Sequence, residues 1–512
     1  MRGAAEIGFE FEQAGSQLLV SGRHRSGTWR ALACRMVLLS VVAVPACMVG
    51  PNYVRPPAQV PPAYKTQGAQ PPAAPPQGAW KQAAPGGSFT AADWWQLYGD
   101  PRLNDLESMI VVSNETLKAA YQTYVQARDQ VKIDRAGLFP TVGISAAGNR
   151  ERLSANRPLV IPGARSTFND FSLQGEVSWE PDLWGSVRRL VESAGAQAQA
   201  SQADLANVKL SLQSELAIDY FQLRGIDSQI SILTDTIGAY RKSVDLTSRR
   251  VRVGFSSASD LALAQTLLDQ TIAQATDLEV ARSQYENAIA TLTGTPASTF
   301  SLPRSNLTLV VPPVPTGLPS DLLERRPDIA AAERRIHAAN ALIGVAQAAF
   351  YPTLNLGGAG GVESANAAKW FEGPSTLWSL GASAAETLFD AGRRRAVKHQ
   401  AIAAYEQNSA NYRQTVLQAF EEVENSLAAT QVLARESIEQ GQAVEDATRS
   451  LGLSTGLYKQ GLASYLQIIT VQTTLLANQR NAVDITARQA TSSVQLIKAL
   501  GGGWNTASLT LP

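Results

Sequence analysis

The chain has 512 residues, with 44 Lys plus Arg balancing 44 Asp plus Glu, for a formal net charge of zero. That length can bury a large core, and the absence of any long basic run removes the electrostatic reason to expect a nucleic-acid partner. Both cysteines, Cys34 and Cys47, precede residue 50, so the body of the chain can hold neither a disulfide framework nor a cysteine metal site. The histidines, His24, His337 and His399, stand far apart and read as surface or inter-helix polar residues, so no metal or other cofactor is expected. Charged residues make up only 17% of the chain, and the many Ala, Gln and Ser suit long, closely packed helices.

At the N-terminus, Arg23, Arg25, Arg30 and Arg35 precede the short apolar run MVLLSVVAVPAC. This is the layout of a signal peptide. Val44-Pro45-Ala46-Cys47 resembles a bacterial lipobox. Residues 1–46 are therefore expected to be a lipoprotein-type signal peptide, with Cys47 the acylated (palmitate-bearing) first residue of the mature chain. Pro45 is not the commonest residue at its place, and an ordinary signal peptide with an incidental cysteine is the alternative. Met48 stands where an Asp would hold a lipoprotein at the inner membrane, which points to the outer membrane. Past residue 50 no apolar run reaches 18 residues, so no transmembrane helix is expected. Residues 47–92 are rich in Pro, Ala and Gln and read as an extended tether, with ordered structure beginning near Asp93-Trp94-Trp95.

A helical pattern runs from about Leu103 to Gly137 and stops before Pro140. The period then changes to two. Val142, Ile144 and Ala146 alternate with polar or small residues in 141–149, as do Phe171, Leu173, Val177 and Trp179 in 170–180, with 150–168 a polar loop between. After Gly185 the pattern is helical again. Leu216, Leu223, Ile230, Ile237, Val244 and Val251 recur every seven residues, with Ile226, Leu233 and Tyr240 in a second seam. The stretch Gly185 to Gly254 allows a helix of about 100 Å. The run after it, about 259–293, is half as long, so 103–137 is expected to stack end to end with it.

The proline-rich linker 296–320 leads to a second copy that opens with Asp321 to Ile329, where Pro327 suits the first helical position. Short alternating runs at 353–358 and 377–384 follow, then helices at about 393–460 and 465–500. Gly185 and Gly392, Gly254 and Gly461, Gln265 and Gln472, and Gly294 and Gly501 are each 207 residues apart. The chain is a tandem duplication. The first repeat spans 93–295, the second 321–501, and 502–512 is a tail. Each half reads helix, strand, strand, long helix, turn, helix, which places the strands at one end and the turn at the other.

Four amphipathic strands cannot close a membrane barrel, because small barrels need about eight and lipid does not tolerate open edges. Three chains would supply twelve strands. The stretches GPNYVRPP, DWWQLYGDPRLNDL, WEPDLWG, LLERRPDIAAAERRIHAANALIGVAQAAFYP, LFDAGRRR and ALGGGW give the chain its identity. Over Cys47 to Trp504 it resembles the TolC-like outer-membrane efflux proteins, in the lipoprotein branch paired with resistance-nodulation-division pumps. The resemblance implies an α+β membrane protein. Four strands per chain would complete a trimeric 12-stranded β-barrel, joined to a long periplasmic α-helical barrel and a mixed equatorial domain. It also implies a passive exit duct of a tripartite efflux system. Its partners would be two further copies, a periplasmic adaptor, an inner-membrane pump and outer-membrane lipid.

The same resemblance assigns Gly254, Phe255, Ser256, Gly461, Leu462 and Tyr465 to adaptor-contacting tips. It places Gln467, Thr470, Asp260 and Leu457 at the periplasmic aperture. The sequence departs from the family here. Gln467 and Thr470 stand where many relatives carry aspartates, Leu457 stands where an arginine is common, and Asp260 keeps its carboxylate. Neutral rings at Gln467 and Thr470 imply weak cation preference, with closure held by packing and neutral hydrogen bonds. GxSxG, HExxH and P-loop patterns are absent, so no enzyme activity is expected. The competing readings are a duct for type I protein secretion and a periplasmic coiled-coil scaffold. The scaffold leaves the alternating strands unexplained. With four methionines and no histidine cluster, dedicated copper or silver export is disfavoured.

Overall fold

The computed structural model describes residues 48–58, 60–65, 93–154, 156, 166–308, 312 and 319–510. Cys47 and the signal peptide lie outside the described residues. The body is mostly helical with one four-stranded sheet. In order it contains α1 (Pro101–Ser113), α2 (Glu115–Ala136), β1 (Thr141–Arg152), β2 (Thr167–Trp179), α3 (Ser186–Arg252) and α4 (Ala258–Leu292). The second repeat contains α5 (Pro327–Ala348), β3 (Thr353–Ser364), β4 (Thr376–Ala385), α6 (Arg393–Lys459) and α7 (Tyr465–Ala499). Among the described residues, no helix is long and apolar enough to cross a membrane.

The antiparallel sheet runs β1-β2-β3-β4. Its register puts Val142 opposite Val177, Ala146 opposite Leu173, Leu173 opposite Val362, and Gly360 opposite Trp378. Directly paired residues share a face, so one apolar face runs across all four strands. Val142, Ile144, Trp378 and Leu380 on that face are 75%, 83%, 78% and 81% exposed, which leaves it uncovered. The opposite face carries Ser145, whose hydroxyl lies 3.3 Å from the Glu176 carboxylate. β1 and β4 are both open edges in the chain.

α3 and α6, each of 67 residues, extend about 100 Å from the sheet. Their packing gives a row in which α2 and α4 flank α3, α5 and α7 lie on its other side, and α6 closes the far edge. Leu216, Leu223 and Leu233 of α3 are fully buried, as the seven-residue repeat requires.

The half-length helices do meet end to end, but the expected continuous helix over 103–137 is broken at Asn114. Its extended backbone (ψ 121°) ends α1, and its side-chain oxygen caps α2 by accepting from Leu117 N at 2.9 Å. The same side chain donates to Leu292 O, at the last residue of α4, at 2.8 Å. Arg326 plays the matching part in the second repeat. Its extended backbone precedes Pro327, and its Nη1 donates to Ala499 O at 3.0 Å. Leu292 and Ala499 are 207 residues apart, and Asn114 and Arg326 are 212 apart. Gly294 and Gly501 complete these splices with left-handed φ of 68° and 92°. A Cβ on either would come within 2.5 Å of the carbonyl it packs against, Ser113 O or Arg325 O.

Order begins earlier than the composition suggested. Residues 48–58 and 60–65 form an extended strap on the body instead of a free tether. Val49 N donates to Trp184 O at 3.1 Å, and the buried Arg189 reaches Gly50 O and the Asn52 side chain at 3.3 and 2.9 Å. Tyr53 stacks on His337 with centroids 4.4 Å apart, and Tyr64 is buried against α6. His337 is thus an inter-helix polar residue, 3.0 Å from Glu192. Part of the expected linker is clamped too. Asp227 accepts from Arg282 at 2.8 Å, Arg282 donates to Leu302 O at 2.6 Å, and Arg224 donates to Pro303 O at 2.8 Å.

Asn114→Ala removes both the α2 cap and the splice to α4, so it should destabilise by about 2 kcal/mol and lower the thermal midpoint; an unchanged midpoint overturns the splice role. Glu107 of α1 is fully buried, and burial raises its carboxyl from the ordinary 4.5 to about 9, with Lys209 pulling the other way. A raised folded-state pKa contributes stability that is present in full below pH 4.5 and lost as pH rises toward 9. Glu107→Gln should therefore leave stability near pH 4 unchanged, raise it at pH 8 and flatten the profile between them. An unaltered slope in unfolding experiments across that range sinks the assignment.

Candidate functional site

The end of the molecule remote from the sheet consists of two turns built alike. At the first, Gly254 (φ 78°) donates to Val251 O at 3.0 Å and Phe255 N donates to Arg250 O at 2.8 Å. At the second, Gly461 (φ 77°) donates to Tyr458 O at 3.0 Å and Leu462 N donates to Leu457 O at 2.9 Å. Both are Schellman closures, which need a residue free of Cβ strain at the left-handed position. The hydrophobic residue that follows each glycine points outward. Phe255 is 77% and Leu462 73% exposed, while Ser256 is half-buried.

The next helix starts on Ser257 in one turn and Ser464 in the other, again 207 residues apart. Ser257 accepts from Asp260 N at 3.1 Å, and the Asp260 carboxylate accepts from Ser257 N at 3.1 Å, which closes a capping box. The carboxylate singled out at Asp260 is therefore occupied in capping α4. Ser464 accepts from Gln467 N at 3.3 Å, and Gln467 is exposed. Thr470 lies one turn further along the same face of α7, its hydroxyl donating to Leu466 O at 3.0 Å. Leu457 is 41% exposed.

Tyr465 does not fit the place expected for it on the contact surface. It is 4% exposed and packs with Ala264, Tyr458 and Ile468 inside the tip. Its hydroxyl lies 3.0 Å from Ser243 Oγ of α3, and its ring is 5.7 Å from that of Tyr458. Arg250 stands over the Tyr458 ring, 4.6 Å from its centroid. Both contacts join the second repeat to α3 of the first, so the two turns form one body. Sequence reasoning missed Ser243, Arg250 and Tyr458. The one available signal was the Tyr458/Tyr465 pair, seven residues apart across the Gly461 turn. Within the chain the tip is held by aromatic packing, one neutral hydrogen bond and one cation–π contact.

Residues 106–295 and 318–502 match the family model described as outer membrane efflux protein. The chain is 30% identical over 472 residues to outer membrane protein OprJ of Pseudomonas aeruginosa, covering 91% of this chain and 95% of OprJ. It is 30% identical over 470 residues to the toluene efflux pump outer membrane protein TtgF of Pseudomonas putida, covering 91% and 96%. The crystal structure of the Campylobacter jejuni CmeC outer membrane channel matches with a TM-score of 0.82 at 25% identity, covering 90% of this chain and 96% of CmeC. The open state of the Neisseria gonorrhoeae MtrE outer membrane channel matches with a TM-score of 0.76 at 26% identity, covering 90% and 99%. With both repeats matched and the relatives covered almost from end to end, the chain belongs to the outer membrane efflux protein family.

Proposed function

We infer that the protein is the outer-membrane exit duct of a tripartite efflux system, conducting drugs, solvents or other small amphiphiles passively from the periplasm to the exterior. The carrying observation is the sheet, with one apolar face uncovered and both edge strands open, set at one end of two 67-residue helices. Lipid covers such a face but does not tolerate the edges. A homotrimer joins β4 of each copy to β1 of the next and closes twelve strands, with Ser145 and Glu176 facing a watery lumen.

The helix row supports the same assembly. Ile133 and Val280 on its α2/α4 edge are 63% and 59% exposed, and Leu417 and Ile438 on the α6 edge are 56% and 77% exposed. Rolling three rows into a tube covers both edges. Phe139 and Phe389, 65% and 87% exposed, lie where strands pass into helices, and Phe371, 91% exposed, lies in the β3–β4 connection at the other side. They bracket the apolar band as interfacial aromatics do. Met48 packs beside Gly185 at this same boundary. Acylation at Cys47 and an outer-membrane location with a large periplasmic part belong to the same reading.

The tips then face a periplasmic adaptor, with Phe255 and Leu462 as outward anchors on the Gly254 and Gly461 turns and Ser256 beside them. An inner-membrane resistance-nodulation-division pump supplies the energy, consistent with relatives named as efflux pump outer membrane proteins. Gln467 and Thr470 form neutral rings at the aperture, with Leu457 nearby and the Asp260 carboxylate engaged in its cap. The duct performs no covalent chemistry.

A deletion strain should become hypersensitive to several unrelated amphiphilic compounds, with resistance restored by the gene. Unchanged growth thresholds together with loss of a protein from the medium would transfer the assignment to type I secretion. Single-channel recordings should show weak cation preference that changes little at low pH. Tyr458→Ala removes the ring under Arg250 and the partner of Tyr465, so it should raise the resting conductance; equal conductance in the variant rejects the tip as the closure.

A further inference from the structure

About a third of the way along the long helices from the sheet, at the start of α2, two cavities share Ala206, Lys209, Trp504 and Ser508. The larger, about 630 Å³, has walls of Val111, Leu117, Tyr121, Leu205 and Trp504. The smaller, about 290 Å³, lies between Lys209, Gln213 and the glycine turn 501–503. Neither lining contains an Asp or Glu. Gln213 is only 3% exposed, yet its Nε2 has no hydrogen-bond partner among the described residues. Glu107, the carboxyl in electrostatic reach of Lys209, is fully buried and makes no side-chain hydrogen bond among the described residues, and burial raises its pKa to about 9. A mainly apolar chamber thus adjoins a smaller one, also mainly apolar, that offers an ammonium and an orphaned amide donor.

We propose that these joined cavities bind a free single-chain anionic amphiphile, its acyl chain against Leu117, Leu205 and Trp504 and its carboxylate on Lys209 and Gln213. Charge complementarity selects the sign, because the linings hold the Lys209 ammonium and amide donors without an acidic group, while Lys118 is paired with Glu115 at 2.8 Å. The depth selects a free molecule over a membrane lipid. Lys209 lies 23 residues along α3 from Ser186, about 35 Å from the sheet end and out of reach of a lipid still seated in the bilayer. The site is separate from the tip and the sheet, and the choice of a free molecule rests on the sheet standing in the bilayer, as in the function proposed above.

The test uses the assembled full-length protein in lipid nanodiscs, with empty discs as the blank and dodecanoate as the probe. Dodecanoate should bind saturably at one site per chain, and dodecyltrimethylammonium should not. Lys209→Gln should weaken binding about tenfold, the loss of one charge-assisted hydrogen bond. Ala206→Trp, which fills the junction of the cavities, should abolish it. No saturable binding above the blank, or an unchanged affinity for Lys209→Gln, overturns the proposal. Tyr121→Cys identifies what occupies the groove. A thiol reagent should label it in the trimer, and dodecanoate should protect it. Protection without dodecanoate would mean that the neighbouring copy fills the groove, and the proposal fails.

Discussion

A helix of 67 residues can be covered by half-length partners only if two of them meet end to end, and that junction is where helix termini leave backbone groups unpaired. Both repeats solve the problem with one device. A left-handed glycine ends the returning helix, and a residue with extended backbone starts the next, sending its side chain to the last carbonyl of the first. Asn114 and Arg326 differ in size and charge, yet reach Leu292 O and Ala499 O at 2.8 and 3.0 Å. Without these splices α3 and α6 would lack a continuous partner, and the tips would have no fixed distance from the sheet.

The tips extend that logic. Helical packing delivers Ser243 and Arg250 of the first repeat against Tyr465 and Tyr458 of the second. The two turns are individually stable through their Schellman closures and serine caps. What joins them is a small set of aromatic contacts whose net strength is modest, since exposed cation–π pairs and neutral hydrogen bonds each contribute about 1 kcal/mol. A tip of this kind holds its shape in one chain and yields to moderate force. The aperture proposed above would need that property, and the clamped linker and strap do not share it.

The strap and the buried ion network act on the middle and upper parts of the helices. Arg189 gathers the strap carbonyls beside Gly185, while Asp227, Arg224 and Arg282 hold residues 302–305 against α3 and α4. Buried charges of this sort are strongly destabilising to break singly because the remaining partner is left desolvated. The molecule is therefore most firmly braced near the sheet end and at residues 302–305 and least firmly at the tips.

Periodicity alone made most of the fold legible. Alternation at Val142, Ile144 and Ala146 and at Trp378 and Leu380 located the strands and their apolar face, and the heptad from Leu216 to Val251 located the long helix. The glycine pairs at offset 207 marked positions that all take positive φ, because only a residue without Cβ occupies a left-handed helix end at no cost. Those are local rules, satisfied within a few residues. The break at Asn114, the docking of residues 48–58 and 60–65, the burial of Tyr465 and the Arg250–Tyr458 contact depend on partners more than 130 residues away. Proline-rich composition could not show that Gly50 packs on Gly344, nor could a tyrosine beside a turn show which way it faces. The sequence determined the elements and their repeat. Which residue faces a neighbour and which faces outward was decided by tertiary packing, since burial belongs to the assembled helices and to no single stretch of chain.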